Sequence, residues 1–323
     1  MDLYLVVDIG ATYTRIGIGD ENKLLDKIRF QTPRVGDEYT IVNKIIDYSK
    51  RFYSKYFDRI KAIGVGTIGP LDVEKGRVIN TPNLPIRSFE ILDPLIEYFN
   101  KQVYVLNDAV AGVYGEKVFG IGRNYENIVY VTLSTGVGGG VIVDNNLLIG
   151  KQGNAHEIGH IVVKYDSQLT CGCGGRGHWE AYAGGLNIPR LAKHLAENTV
   201  LNNSSLWKRV LENEITSIDV FNYYRNGDLF AKQIVKEIIE ACIAGLATTI
   251  NLYDPDIVIL SGSIFLNNID VLYEPLIKNI DKHIVTSKPL IKPSSLGEDA
   301  VLYGALALAL NPPLKIIKLQ KRF

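Results

Sequence analysis

The stretch that decides the fold is YVLNDAVAGVYGE, residues 104–116. A short apolar run ends at Leu106, two polar residues follow, and small residues suited to a helix come next. This order predicts a strand that runs directly into a helix, with Asn107 or Asp108 at the helix start. Ligands of open α/β sheets bind at the carboxyl ends of strands, where Asp108 can accept a proton from a substrate hydroxyl. The alternative, that these residues only cap the helix, stays open because Asn and Asp are strong N-cap residues.

The overall composition limits the class of protein. The chain has 323 residues, with 35 basic side chains, 35 acidic ones and 3 cysteines. This length suggests two domains, and the balanced charge gives no electrostatic footprint for nucleic acid or a membrane. The start of the chain is too short and too acidic for a signal peptide, no apolar run could span a bilayer, and three cysteines make no disulfide framework. We therefore expect a cytoplasmic protein without nucleic-acid or membrane partners.

Two segments share the order strand, glycine- and threonine-rich turn, strand. The first is residues 3–19, with Asp8 near the end of its first strand, and the second is residues 128–143, with STGVGGG at 134–140. Backbone N–H groups and hydroxyls at such turns can approach a phosphate closely. Asp8 would lie beside them, where it can hold a metal ion through its waters. Two such loops could clamp a polyphosphate; ordinary glycine hairpins are the alternative.

Two further loops present polar groups. In TPNLP, residues 81–85, the prolines fix a rigid loop that would offer the Asn83 amide to a pair of sugar hydroxyls. The alternative is that Asn83 is simply a turn residue. An apolar strand at 257–260 is followed by Ser261-Gly262-Ser263, a turn suited to packing against a base or a ribose. Helices are predicted over 37–57, 88–98, 108–119, about 228–252 and 300–310.

Residues 156–160 match the His-Glu-x-x-His pattern of zinc proteases. That pattern requires a continuous helix, on which both histidines share a face. Gly159 lies inside the motif and the β-type run Ile161-Val162-Val163 follows at once. The sequence therefore argues against a protease.

The segment CGCGGRGHWE, residues 171–180, carries a stronger metal signal. It supplies Cys171 and Cys173, with His178 close by in sequence and His160 upstream. Two thiolates and two imidazoles form a possible tetrahedral zinc set. A surface loop with free thiols is the alternative.

Taken in order, these motifs resemble those of the ROK family of repressors and sugar kinases, and within it the archaeal ATP-dependent hexokinases of broad sugar specificity. The match runs nearly end to end. Its carriers are DIGAT at 8–12, GTIGP at 66–70, TPN at 81–83, NDA at 107–109 with Gly115-Glu116, STGVGGG at 134–140, EIGH at 157–160, and CGCG at 171–174 through Glu180. No single motif is decisive, but seven in the family's order are highly specific.

The resemblance implies the actin-like ATPase (ribonuclease H-like) fold, with two α/β domains around a central cleft. We expect a smaller domain from residues 1–107 with about 297–323, and a larger one from 108–296 that carries the metal loop. The resemblance also implies a homodimer. The basic, amphipathic tail at 315–323 is expected to be a solvated end.

The resemblance further implies transfer of the ATP γ-phosphate to the 6-hydroxyl of glucose and of related hexoses such as mannose, glucosamine and N-acetylglucosamine. Asp108 would be the catalytic base, with ATP and Mg²⁺ as cofactors and Asp8 near the magnesium. The other sugar-binding residues would be Gly66, Asn83, Asn107, Glu157, His160 and Glu180. The nucleotide would contact Gly10, Ala11, Thr12, Thr14, Thr135, Gly136, Gly262 and Ser263.

A structural zinc ion is also implied, held by His160, Cys171, Cys173 and His178. His178 stands where the family usually has a third cysteine, and histidine is a competent zinc ligand. Tyr13 stands where relatives often carry Lys or Asn. Ala11 replaces a common glycine, so its φ should be negative.

A second function comes from the repressors of the same family. These carry a helix-turn-helix domain ahead of the first phosphate loop. Asp8 lies so near the first residue that no such domain is expected here, and the net charge of zero agrees. A sugar-sensing transcriptional regulator without kinase activity is therefore the alternative.

Overall fold

The computed structural model describes residues 2–82, 84–198, 201, 204–212 and 215–322. The strands, in chain order, are β1 (Leu3–Ile9), β2 (Tyr13–Gly19), β3 (Leu24–Gln31), β4 (Ile60–Thr67), β5 (Leu71–Asp72), β6 (Arg77–Val78), β7 (Phe89–Glu90), β8 (Gln102–Asn107), β9 (Ile128–Leu133), β10 (Val137–Val143), β11 (Asn146–Leu147), β12 (Ile257–Ser261) and β13 (Leu290–Pro293). The helices are α1 (Thr40–Tyr53), α2 (Leu92–Phe99), α3 (Asp108–Val118), α4 (Trp179–Ala183), α5 (Ile188–Glu197), α6 (Ser205–Leu211), α7 (Ser217–Arg225), α8 (Leu229–Tyr253), α9 (Ser263–Leu266), α10 (Ile269–Asn279), α11 (Ala300–Leu310) and α12 (Leu314–Gln320).

The chain divides into two compact units. Unit 1 comprises Met1–Tyr130, Gly140–His156 and Ser294–Phe323, and unit 2 comprises Val131–Gly139 and Glu157–Pro293. The strand–helix junction and the strand–turn–strand segments predicted from the sequence are all present.

The first sheet has the strand order β3-β2-β1-β4-β8. β1 is antiparallel to β2 and parallel to β4, which is in turn parallel to β8. Both faces of β1 are covered: Leu5 and Val7 pack in the core cluster that includes Ile41 of α1, whereas Val6 packs with Leu302 of α11. A strand buried on both faces reads as a continuous apolar run, which explains the sequence LYLVV at residues 3–7.

Helix α3 belongs to unit 1, which differs from the expected domain boundary at residue 108. Close packing is the physical reason. A side chain at Gly66 of β4 would meet Val301 of α11 and Ala111 of α3, so the three elements meet at a position where only glycine fits. The last segment of unit 1 also begins at Ser294, slightly earlier than expected.

The second sheet has the order β11-β10-β9-β12-β13, with β12 parallel to β13. Helix α8 is 25 residues long, and its N-cap Asp228 accepts hydrogen bonds from the backbone N–H groups of Phe230 and Ala231. These caps satisfy donors that have no partner inside the helix. The long helix predicted over about 228–252 is present as α8, and each of its bounds lies one residue later.

The C-terminal tail is more than a solvated end. Residues 314–320 form α12, and Gln320 is fully buried. Its amide accepts a hydrogen bond from Val105 N at 2.8 Å and donates to Val105 O at 3.0 Å and Val73 O at 2.6 Å. β8 is an edge strand, whose open backbone groups need partners, and Gln320 supplies them.

Within the described part of the chain, no single helix has the length and apolar character needed to cross a membrane. One pair of helices, Gly297–Leu310 and Leu314–Gln320, meets the length and composition criteria only jointly, with a bend of 77° between them.

Candidate active site

The carboxyl ends of β1, β4 and β8 lie at one edge of the first sheet. Ile9 is in register with Thr67, and Thr67 with Asn107. Because neighbouring strands are about 4.8 Å apart, the ends of β1 and β8 are separated by about 10 Å at the backbone. Asp8 and Asp108 therefore lie at the same edge, as the strand pattern predicts.

Asn107 and Asp108 have different positions at the start of α3. Asn107 is the N-cap: its buried Oδ1 accepts hydrogen bonds from Ala109 N at 2.9 Å and Val110 N at 3.4 Å. Asp108 is the first helical residue and is half-buried, with Oδ1 2.8 Å from Ala109 N. The helix N-terminus favours a negative charge at this position. Since its Oδ1 is taken by the helix, Asn107 offers a ligand its Nδ2 donor.

The first glycine turn is held by its own backbone and by Thr32, the residue that follows β3. Gly10 N donates to Tyr13 O at 3.1 Å, and Thr32 N donates to Thr12 O at 3.0 Å. The Thr32 hydroxyl donates to Gly10 O at 2.7 Å and lies 2.9 Å from the Thr14 hydroxyl. Thr14 is fully buried, so its hydroxyl supports the turn from below, and a direct phosphate contact from it stays a prediction.

Ala11 and Thr12 differ in exposure at this turn. Thr12 is exposed and Ala11 is at the border of burial. Ala11 is not among the described residues with positive φ, which is the backbone conformation expected for an alanine there.

Asp8 lies buried beneath the turn, beside Arg15 of β2. The two residues are direct cross-strand partners, and Arg15 Nε donates to Asp8 Oδ2 at 2.7 Å. Burial raises the pKa of the Asp8 carboxyl, and the Arg15 charge opposes that shift.

The second glycine turn, between β9 and β10, lies in unit 2. Val137 N donates to Glu180 Oε2 at 3.1 Å, and a side chain at Gly136 would clash with that carboxylate. Thr135 O accepts a hydrogen bond from Leu186 N at 3.1 Å. The turn is thus fastened to α4 through Glu180.

The Gly262–Ser263 turn adjoins the second glycine turn. Gly262 has φ +88°, and α9 begins at Ser263. The Ser263 hydroxyl lies 3.3 Å from that of Ser134. Thr135, Gly136, Gly262 and Ser263 therefore all lie in unit 2, and their contact with a nucleotide stays a prediction.

A cluster of two cysteines and two histidines forms the most complete ligand set in the described residues. The ligand atoms of His160, Cys171, Cys173 and His178 all lie within 4.8 Å of one another. Cys173 Sγ is 3.3 Å from His178 Nδ1, and Cys171 Sγ is 3.9 Å from His160 Nδ1. Tetrahedral zinc with bonds of about 2.0 Å to N and 2.3 Å to S needs ligand atoms about 3.3–3.8 Å apart. The four side chains fit that ion.

The cluster includes one predicted sugar-binding residue, His160, and contacts two others, Glu157 and Glu180. His160 turns Nδ1 toward Cys171, while its Nε2 lies 3.6 Å from Glu157 Oε2. Cys171 Sγ donates to Glu180 Oε1 at 3.3 Å. The metal loop therefore fixes both His160 and Glu180.

Protonation in the cluster follows burial. Burial raises the pKa of the Cys171 thiol to about 12. Burial also lowers the pKa of His178, with a further decrease from His160. A neutral imidazole is the form that binds metal, whereas the thiol must lose its proton.

The protease interpretation fails on geometry. Only Ile158–His160 is helical in this motif, and it is a 3-10 turn rather than an α-helix. His156 is buried, with its Nε2 2.8 Å from Gly153 O. Asn83, another predicted sugar-binding residue, lies outside the described residues.

Two residues at these loops were not among the predicted site residues. Ser134 is the first residue of the STGVGGG motif, so its hydroxyl beside a glycine turn was the available signal. Arg15 gave a clearer signal, since a lone cation in an apolar strand requires a partner.

The two glycine turns, the strand-end aspartate and the mixed α/β sheets define a protein with the actin-like ATPase fold. Residues 4–311 match the ROK family over nearly the whole chain. The chain belongs to the ROK family.

Its relatives include both kinases and regulators. A glucokinase of Pyrobaculum calidifontis is 38% identical over 314 residues, covering 97% of each chain. The ROK hexokinase of Thermus thermophilus superposes with a TM-score of 0.81 at 29% identity, covering 95% of this chain and 98% of that one. A ROK glucokinase of Streptomyces griseus, solved with glucose and AMPPNP, has a TM-score of 0.78 at 31% identity, covering 95% and 99%. A xylose repressor of Bacillus subtilis is 30% identical, covering 79% of this chain and 63% of the repressor.

Proposed function

We propose that this protein is an ATP-dependent glucokinase that transfers the γ-phosphoryl group to the 6-hydroxyl of glucose. The chain is an ATP-dependent sugar kinase. The observation that carries the finer assignment is the position of Asp108, the first residue of α3, at the sheet edge that also holds Asp8 and the Gly10 turn.

Asp108 acts as the base on the sugar hydroxyl. Phosphoryl transfer has a loose transition state, so positioning and charge neutralisation carry most of the catalysis. Asp108 orients the hydroxyl and accepts its proton late. Asn107 fixes the helix start through Oδ1 and directs its Nδ2 donor to a sugar oxygen.

The remaining sugar contacts come from acceptors and donors predicted along the chain. His160 offers Nε2, since its Nδ1 faces the cysteines. The predicted sugar-binding residues are Gly66, Asn83, Asn107, Glu157, His160 and Glu180. Mannose, glucosamine and N-acetylglucosamine are proposed as further substrates.

ATP and Mg²⁺ are the proposed cofactors. Gly10 lines the phosphates with its N–H donated to Tyr13 O, and the backbone N–H groups of Ala11, Thr12, Thr135 and Gly136 bind phosphate oxygens. Gly262 and Ser263 border the adenosine. A bound Mg²⁺ supplies charge neutralisation at the phosphates. Asp8 would hold it through water, as suits a hard oxygen ligand.

A structural zinc ion is proposed in the cluster of His160, Cys171, Cys173 and His178. Four protein ligands leave no open position for a reacting water. The ion would stiffen the loop that fixes His160 and Glu180. We also propose that the protein is a cytoplasmic homodimer.

A coupled ADP-release assay across glucose, mannose, glucosamine, N-acetylglucosamine and xylose tests the proposal. We expect sugar-dependent ATP consumption that is highest with glucose, and the 6-phosphate as product. A flat response to every sugar contradicts the kinase assignment.

The similarity to a xylose repressor favours a sugar-sensing regulator as the second function. A regulator without kinase activity would bind DNA in a sugar-dependent way and consume no ATP. A gel-shift with duplex DNA at low salt, run beside the ATP assay, separates the two, because electrostatic DNA binding is strongest at low salt.

A further inference from the structure

The Asp8–Arg15 pair is a buried charge pair beside the first glycine turn. We propose that Arg15 is a positioning residue: it holds one oxygen of Asp8 and thereby presents the other oxygen to a hydrated divalent cation on the nucleotide phosphates. This inference rests on the proposed kinase function.

The contacts of Arg15 fall on a single oxygen of Asp8. Nε donates to Oδ2 at 2.7 Å, and Nη2 pairs with the same Oδ2. None of the described residues donates a hydrogen bond to Oδ1. A carboxylate oxygen that accepts no hydrogen bond from the described residues is a hard ligand suited to Mg²⁺ or to its bound water, so the residues present fit the ion.

The opposite side of the guanidinium is also fixed. Arg15 Nη1 donates to Glu298 O at 2.5 Å and lies 3.6 Å from Asp299 Oδ1. Asp299 is held in turn by Lys27, whose Nζ lies 2.6 Å from its Oδ1. Arg15 is therefore clamped between Asp8 on one side and the Glu298 carbonyl and Asp299 carboxylate on the other. These contacts restrict the rotation of its guanidinium and of the Asp8 carboxylate.

The segment that clamps Arg15 is itself anchored by a buried carboxylate. Glu116 of α3 is fully buried and accepts hydrogen bonds from Ser294 Oγ at 2.5 Å and Ser295 Oγ at 2.8 Å. It also accepts from the backbone N–H groups of Leu296 and Ile121, at 3.1 and 3.0 Å. With these four hydrogen bonds, Glu116 holds the start of the 294–299 segment. Both Glu116 and this segment belong to unit 1.

The planar fork of arginine matters here. Nε and Nη2 face Asp8 while Nη1 faces the carbonyl of residue 298, which a single ammonium group cannot reproduce. Without the guanidinium, the Asp8 carboxylate is buried without a partner and no longer held in one orientation. The benefit that the divalent cation brings to nucleotide binding should then fall.

The test is the affinity for ADP with and without Mg²⁺, measured by isothermal titration calorimetry on the full chain. The variants are Arg15→Met, which removes the charge, Arg15→Lys, which keeps it, and Asp299→Asn, which loosens the clamp. Arg29→Met is the matched control, because Arg29 is the exposed cross-strand neighbour of Arg15 on β3 and has no contact with Asp8. Melting curves check the fold of each.

We expect Arg15→Met to reduce the Mg²⁺-dependent gain in ADP affinity by about 10- to 100-fold, the range typical for lost outer-shell partners of a metal. Arg15→Lys and Asp299→Asn should show smaller losses, and Arg29→Met none. Metal-free ADP affinity should match between Arg15→Met and Arg29→Met.

Three results would overturn the inference. A full Mg²⁺-dependent gain in Arg15→Met shows that Asp8 needs no positioning, and a larger gain shows that Arg15 competes with the cation. If Arg15→Met does not fold, unchanged gains in both Arg15→Lys and Asp299→Asn overturn it equally. Wild-type protein that binds no nucleotide under any condition would instead sink the proposed function itself.

Discussion

At the residue scale, neighbouring side chains at the start of α3 separate structural and chemical work. Asn107 is buried and satisfies the helix N-terminus, whereas Asp108 is half-buried at the first helical position. The sequence alone could not divide these roles, since either residue is a good N-cap. The N-cap position of Asn107 and the hydrogen bond that its Oδ1 accepts from Val110 N make the division.

Replacing Asp108 by Asn removes the proton acceptor while keeping the size of the side chain. We expect kcat to fall by about 10²- to 10⁴-fold, the usual contribution of a general base. The dissociation constant for glucose should change little, because the proton moves only in the transition state. Coupled kinetics and calorimetric glucose binding measure the two effects. Near-normal turnover in this variant would refute the assignment of Asp108.

Two substitutions of Asn107 separate capping from sugar binding. Asn107→Ala should lower the free energy of unfolding by about 0.5–2 kcal/mol, the usual loss for an N-cap. Asn107→Asp keeps an acceptor for the helix but removes the Nδ2 donor, so stability should hold while KM for glucose rises. Denaturant unfolding and steady-state kinetics give the answer. Equal KM values in the Asp variant and the wild type would remove Asn107 from the sugar site.

At the element scale, the edge strand β8 depends on a residue far away in the chain. Gln320 bonds both backbone groups of Val105, and the strand then leads into Asn107. Gln320→Ala should leave these groups unsatisfied and lower the free energy of unfolding by about 1–3 kcal/mol. Lys318→Ala, on the exposed side of α12, is the control and should change it by less than about 0.5 kcal/mol. Equal unfolding curves for the two variants would show that solvent replaces Gln320.

How far the sequence could predict these elements depends on the range of the interactions. The helix predicted over Ala300–Leu310 is α11 and has those bounds, because its apolar residues are consecutive in sequence, whereas α12 beyond it was not predicted. The glycine turns were also local signals. The contacts of Arg15 with Glu298 and of Glu116 with Ser294 join positions 283 and 178 residues apart. No local pattern indicates such pairs, so the clamp on Asp8 could not be predicted.

At the scale of the whole molecule, stability at high pH is linked to buried thiols. Burial raises the pKa of Cys242 from its ordinary value near 9 to about 12. The protonated thiol therefore stabilises the fold fully below pH 9, and this contribution is lost as the pH rises from 9 toward 12. Between pH 8 and pH 11, the free energy of unfolding of Cys242→Ser should therefore fall by about 3 kcal/mol less than that of the wild type. Urea unfolding at both pH values measures the difference, and parallel losses would contradict it.

The proposed zinc ion should stabilise the folded state of unit 2, which contains its four ligands. An ion that binds only the folded state adds about 2.7 kcal/mol at a free concentration of 100 times its dissociation constant. Chelation should therefore lower the melting temperature of wild-type protein, and raise KM for glucose by loosening His160 and Glu180. Cys173→Ala and His178→Ala should melt like the chelated wild type and not respond to added zinc. His178→Cys should respond at least as strongly as wild type, since it supplies a third thiolate.

The pH dependence of zinc affinity tests the ligand set more directly. Because burial raises the pKa of Cys171 to about 12, this thiol is protonated at neutral pH and zinc must displace its proton. Affinity should rise by up to about tenfold per pH unit for each thiol proton released between pH 6.5 and 8. Competition with a chromophoric chelator measures it, and calorimetry in buffers of different ionisation enthalpy counts the protons. A zinc affinity that does not change with pH would exclude both thiols as ligands.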